Sequence, residues 1–188
     1  MTKKTAIILS ISCLLAISCK EKQEQKDIIV PAPVVKQEKK TMEMSETHQE
    51  YTESLNGKKY SIDIIRSADH SLPLTSDDMG NAYYDNIITV RVHREDGSDL
   101  LNKTFRKSDF AEYLGNNELR KTGALLGIVY DKIDNGKLSF AASVGSPDPN
   151  SDEYIPLTLT LSTSGALYIA IDNKADIVDI EEEEDEGV

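Results

Sequence analysis

The stretch from Ala124 to Val144 leaves this chain few choices of fold. At its middle stands Asn135-Gly136, and both central residues of a type I′ turn need positive φ, which Asn and Gly tolerate best. After the turn, Leu138, Phe140, Ala142 and Val144 alternate with Lys137, Ser139, Ala141 and Ser143. That is an extended strand with one apolar face. Before the turn, Leu126, Ile128 and Tyr130 lie opposite Leu125, Val129 and Ile133, so this strand is apolar on both sides and is expected at the centre of a sheet. A lone hairpin is marginal in water, so more strands must join it.

The same two-residue period recurs elsewhere. Lys58 to Arg66 carries Tyr60, Ile62 and Ile64 on one face, after an Asn56-Gly57 turn. Tyr83 to Glu95 places Ile88, Val90 and Val92 on one side and Thr89, Arg91 and His93 on the other, and Asp96-Gly97 turns it into a weaker strand, Ser98 to Arg106. Tyr154 to Ser162 points Ile155, Leu157, Leu159 and Leu161 inward, with Pro156 suited to a strand start or edge. Ala166 to Asp172 follows, with Leu167, Ile169 and Ile171 inward. The one helical signal is Asp109 to Leu114, with Ser108 or Asp109 as cap, Glu112 completing a capping box and Gly115 as stop. Phe110, Tyr113 and Leu114 form its buried stripe, which makes it a plug over one end of the sheet. A further helical turn is expected within Asn117 to Thr122. The expected fold is mainly β, an antiparallel meander of about seven strands forming a small barrel or a sandwich with one short helix.

The amino end has a different character. Lys3 and Lys4 precede the apolar run Ala6 to Ser18, and Leu15-Ala16-Ile17-Ser18-Cys19 closes that run at a cysteine followed by charge. This reads as a lipoprotein signal peptide over residues 1–18 with Cys19 as the lipid attachment site. The run is too short to span a bilayer, which takes about 20 apolar residues. Removing it moves the formal net charge from -12 to -14, because Lys3 and Lys4 go with it. The other cysteine, Cys13, would be lost as well, so the processed domain is expected to stand without a disulfide. Residues 19–50, rich in Lys, Glu and Gln around Pro31-Ala32-Pro33, read as a charged tether. Residues 51–173 read as a single β domain and 174–188, with the Glu181 to Glu186 block, as an acidic disordered tail.

Little here suggests chemistry. The acidic balance argues against nucleic acid, which needs clustered Lys and Arg. His48, His70 and His93 have no partner at metal-ligand spacing, and no nucleophile elbow, phosphate loop or His-Glu-x-x-His stretch occurs. Asp148 to Glu153 has oxygen side chains at alternate positions, as a calcium loop begins. It has Glu153 where the loop wants Gly and Leu159 where it wants a bidentate Glu, so a polar turn is the plainer reading. No catalytic residue, metal ligand or cofactor is assigned.

Three segments, Phe105-Arg106-Lys107-Ser108-Asp109-Phe110, Gly127-Ile128-Val129-Tyr130-Asp131-Lys132 and Ser151-Asp152-Glu153-Tyr154-Ile155-Pro156, give the chain a likeness over about Tyr51 to Asp172. It resembles uncharacterised lipoproteins of Bacteroides-type bacteria grouped as a DUF4738-like domain of unknown function. The resemblance implies a lipid-anchored, mostly β domain outside the cytoplasm and lends no catalytic residues. Lys20-Glu21-Lys22 also partly resembles the charged signal that sends such lipoproteins to the cell surface.

The expectation is therefore a non-enzymatic domain on the bacterial envelope, at the outer membrane, meeting an unknown envelope protein or small ligand. Two alternatives stand beside it. One is a hydrolase whose site is assembled from scattered carboxylates such as Asp131 or Asp85. The other is a structural accessory of an envelope complex, which calls for an exposed apolar patch.

Overall fold

The computed structural model describes residues 40–173; the lipobox, most of the tether and the acidic tail lie outside them. Eight strands build two antiparallel sheets. The first sheet contains β1 (Thr47–Leu55), β2 (Lys58–Ala68), β5 (Asn86–Arg94) and β6 (Asp99–Phe105), in the order β1-β2-β5-β6. A pair of two-residue strands, β3 (Thr75–Ser76) and β4 (Ala82–Tyr83), sits in the connection between β2 and β5. The second sheet contains β7 (Ala124–Asp134), β8 (Lys137–Gly145), β9 (Tyr154–Leu161) and β10 (Leu167–Ile171), in the order β10-β9-β8-β7. Each sheet is a meander, and the two face each other as a sandwich.

Turn chemistry acts as the sequence suggests. Asn56 and Gly57 take φ of 54° and 76° between β1 and β2, and Asn135 and Gly136 take 48° and 71° between β7 and β8. Both hairpins therefore have the primed geometry that follows strand twist. The alternating faces hold too: Tyr60, Ile62, Ile64, Ile88, Val90 and Val92 from one sheet meet Leu138, Phe140, Val144, Leu157, Leu159 and Leu161 from the other in one buried cluster. Each such side chain contributes about 1.5–3 kcal/mol by leaving water. The sheets do not close into a barrel, and the space between them is filled by these side chains. An apolar ligand inside a barrel is thus ruled out as a version of this fold.

Four expectations need correction. The folded region begins before Tyr51, because β1 starts at Thr47 and Met42 bridges to Tyr83. The inward face of β1 carries Thr47, Gln49, Tyr51 and Glu53, so it lacks the apolar alternation that marks a strand, and it is an edge strand. Second, β7 is also an edge strand, where a central place was expected. Its two apolar faces arise from bulges between Leu125 and Gly127 and between Tyr130 and Lys132, which change which side chains point inward. Val129 and Ile133 consequently reach solvent. Third, Ile171 is also exposed, because β10 ends the second sheet.

The fourth correction concerns the helix at Asp109 to Leu114. The chain forms a 3₁₀ turn at Lys107–Phe110, capped by the Arg106 amide donating to the Asp109 carboxylate at 2.8 Å, where a capping box of Asp109 and Glu112 was expected. The plug itself is real: Phe110 and Leu114 are buried, and Phe110 stacks on Phe105 with ring centroids 5.9 Å apart. A second 3₁₀ turn, Glu118–Arg120, lies within the predicted Asn117 to Thr122, and the Asn117 side chain caps it by accepting from the Leu119 amide.

Two glycines of the second sheet differ in a testable way. A Cβ at Gly145 would lie 2.5 Å from the Glu153 carbonyl oxygen and 2.5 Å from the Tyr154 Cβ, whereas one at Gly127 meets nothing within 4 Å. Gly145→Ala should cost about 1–3 kcal/mol through overpacking, and Gly127→Ala should be neutral or slightly stabilising. Urea melts of the two variants check this; equal midpoints would contradict it.

Candidate ligand-binding cleft

The cleft is built on a break in the chain. A single strand was expected from Tyr83 to Glu95, but β4 stops at Tyr83 and β5 starts at Asn86. Asp85 in the gap turns inward and is 4% exposed. Its Oδ1 accepts from its neighbour's amide, Asn86 N, at 2.8 Å and from Leu125 N at 2.9 Å. The Asn86 side-chain amide donates to the Leu125 carbonyl at 2.8 Å. Leu125 is on the free edge of β7, so Asp85 and Asn86 supply it with the acceptor and donor that a neighbouring strand would give. Arg66 continues the row by donating to the Leu126 carbonyl and, through its other terminal nitrogen, to the Ser45 carbonyl at 2.8 Å.

Lys107 closes the other side of Asp85. Its ammonium is 3.8 Å from Asp85 Oδ2, with side-chain exposures of 18% and 5% for the Lys and the Asp. It also donates to the carbonyls of Gly123 and Lys121. Burial pushes the Asp85 carboxyl above the usual carboxylate range, against the pull of the Leu125 and Asn86 amides and of Lys107. Burial likewise draws Lys107 below the usual ammonium value, opposed by the charge of Asp85. The pair is held in place by backbone hydrogen bonds on both partners, which is the condition under which a buried ion pair is tolerated.

Over this latch opens a cleft of about 390 Å³. Leu72, Pro73, Ala111 and Leu114 supply apolar wall, and the charged lining is Arg106, Lys107, Arg120 and Lys121 against Asp85. Four cations thus face one carboxylate in a chain whose net charge is -12. Four other surface hollows have the opposite balance: one is lined by Asp77, Asp78, Glu118 and Glu153, another by Glu50 and Asp63 beside His93, and the two with a cation set Lys40 or Arg66 against at least two acids. The rim cations are only lightly engaged. Arg120 donates to the Gly115 carbonyl at 3.3 Å, and Lys121 lies 3.6 Å from Glu118 on the surface. Arg106 faces toward Asp69, whose carboxyl is held below its usual range first by the Ser71 hydroxyl and amide and in smaller part by Arg106.

The residues singled out from sequence are scattered. Asp131 lies in the second bulge of β7, 3.8 Å from Lys132. It is six residues along that strand from Leu125, roughly 20 Å from the Asp85 latch at about 3.3 Å per residue. The two carboxylates therefore do not converge, and Asp85 has a structural task. His93 binds Asp99 at 2.7 Å, His48 binds Asp63 at 2.6 Å, Arg91 binds the same Asp63 at 3.1 Å, and His70 lies 2.8 Å from Glu43. His93 and Arg91 thus have different acidic partners, and His48 stands on β1, outside the tether in which it was expected. In the loop after β8, Asp148 Oδ1 accepts from both the backbone and the side-chain amide of Asn150, which is a local turn. Among the described residues, no three His, Cys, Asp or Glu side chains are grouped as metal ligands. The cleft was missed because its cations come from two separate dipeptides, Arg106-Lys107 and Arg120-Lys121, on either side of the plug. That bracketing was the available signal.

The fold and this cleft define a two-sheet β domain with a cationic hollow beside the plug. Residues 31–169 match the domain of unknown function DUF4738, and the chain belongs to that family. No curated protein matches it.

Asp85 should be needed for its oxygen more than for its charge. Asp85→Ala leaves the Asn86 and Leu125 amides without an acceptor and should cost about 2–4 kcal/mol, while Asp85→Asn should cost far less. Because the folded pKa is raised, the contribution from Asp85 titration is full below the unfolded value and is lost as pH rises through the folded one. Relative to the wild type, Asp85→Asn should therefore gain stability from pH 4 to pH 7. Urea midpoints across that range check the sign; a relative loss would contradict it.

Proposed function

We propose that this protein is a lipid-anchored domain of the bacterial envelope, outside the cytoplasm, that binds a partner or small ligand and performs no catalysis of its own. The observation that carries the reading is the lipobox, Leu15 to Cys19, with its basic start at Lys3 and Lys4 and its apolar run of Ala6 to Ser18. Cys19 is the acylated residue in this reading. The family match begins at residue 31, which is consistent with a charged spacer between anchor and fold. In this reading the anchoring resembles that of Bacteroides-type lipoproteins, and the location is the outer membrane, at its periplasmic face or at the cell surface. Binding in place of catalysis is supported by the separate duties of Asp85 and Asp131 and by a cleft whose charged lining is four cations to one carboxylate.

The test is membrane fractionation of the wild type and Cys19→Ala with metabolic lipid labelling. The wild type should label and sediment with membranes, and the variant should do neither. An unlabelled wild type, or a variant that stays with the membranes in the same proportion, would overturn the anchoring.

A further inference from the structure

We propose that the cleft between the plug and the loop after β2 binds an amphiphilic organic anion, with its acidic head among Arg106, Arg120 and Lys121 and its apolar body against Leu72, Pro73 and Leu114. The proposal rests on the reading of this protein as a binding domain and names the ligand class for it. Three observations lead there. First, the charge of this hollow is reversed from that of the protein: its lining has four cations and one carboxylate, in a chain with 33 acids and 21 bases. Random placement on such a surface favours acidic hollows, as four others among the described residues are. Low-dielectric walls concentrate the field of grouped charges, so the cleft attracts anions that the rest of the surface repels.

Second, the floor of the site is preorganised. Lys107 is fixed by Asp85 and by the Gly123 and Lys121 carbonyls, so its charge stands at the floor whether or not a ligand is present. Asp85 is committed to Lys107 and to two backbone amides, and offsets only one of the four cations. The rim cations keep only weak partners, Lys121 at 3.6 Å from Glu118 on the surface and Arg120 at 3.3 Å from the Gly115 carbonyl, and can turn to a ligand. Third, the hollow is small and its walls are partly apolar. A volume of about 390 Å³ falls near the lower end of small-molecule sites, roughly 300–1,000 Å³. It suits a single ring system or short chain with a carboxylate, sulfonate or phosphate head, and it is too small for a two-chain lipid.

The probe is 8-anilinonaphthalene-1-sulfonate, an anion on an apolar body, with neutral N-phenyl-1-naphthylamine as its uncharged counterpart. Both are titrated into the full chain carrying Cys19→Ala. The sulfonate should bind at one site and at least about tenfold more tightly than the neutral probe, because a desolvated anion gains charge-assisted hydrogen bonds. The double variant Arg106→Glu with Arg120→Glu should weaken the sulfonate by about tenfold or more and leave the neutral probe unchanged. The double variant Lys58→Glu with Lys59→Glu, an equal charge change on the distant hairpin, should alter neither. If the double reversal fails to melt cooperatively by circular dichroism, Arg106→Gln with Lys121→Gln takes its place and should weaken the sulfonate several-fold. Equal binding of the two probes, or reversals without effect, would overturn the anion site. Displacement of the sulfonate by phosphatidylglycerol vesicles at matched ionic strength would assign the cleft to a membrane surface and overturn the small-ligand proposal. Failure of the anchoring test leaves these titrations unchanged, so the two ideas fail separately.

Discussion

The structure depends on how one free strand edge is satisfied. β7 ends its sheet, and Leu125 near its start would expose an N–H and a C=O in a region already buried, at a cost comparable to a lost hydrogen bond for each. Asp85 and Asn86 remove that cost with side chains, Asp85 taking the N–H and Asn86 the C=O. Because these two residues come from the start of β5, the same bonds join the first sheet to the edge of the second. The Asp85 carbonyl meanwhile accepts from the Asp69 amide at 2.9 Å, so the same residue is tied by its backbone to the end of β2 and by its side chain to β7.

A site follows from this latch. A buried carboxylate requires compensation, and Lys107 supplies it at the start of the plug. Holding Lys107 there fixes the first 3₁₀ turn, whose Phe110 seals the end of the core against Phe105. The second turn is held close by Gly123, whose missing side chain permits a contact that a Cβ would bring to 2.6 Å from the Leu119 carbonyl. Arg106 and Arg120 are thereby brought to the rim of one hollow from opposite sides of the plug. Cohesion of the sandwich and the cationic character of the cleft share a cause in the Asp85 contacts.

How much of this could be read in the sequence depends on whether a residue's role is local. The faces of β2, β5, β8 and β9 are legible because alternation is a property of neighbours in the chain, and Asn56-Gly57 and Asn135-Gly136 because a turn needs only its own two residues. β1 is not legible, since Tyr51 packs on Tyr130 with ring centroids 5.2 Å apart while its neighbours on the same face are polar. β7 misleads because its bulges and its edge position, satisfied by distant side chains, leave a run that looks central. Asp85 entered only as one of the scattered carboxylates open to a hydrolase, and nothing near it announces Leu125 or Lys107, some forty and twenty residues onward. The plug was recognised by Phe110 and Leu114, but its helical type was not, because the Asp109 carboxylate caps the Arg106 amide one turn earlier than the Asp109 and Glu112 spacing suggests.

The most direct measurement of the central claim is native-state hydrogen exchange at the Leu125 amide. If the Asp85 side chain stands in for a missing strand, that amide should exchange only through global unfolding, with protection equal to that of β8 amides paired on both sides. In Asp85→Asn the protection should persist. A Leu125 amide that exchanges as fast as the unpaired edge amides of β10 would contradict the account.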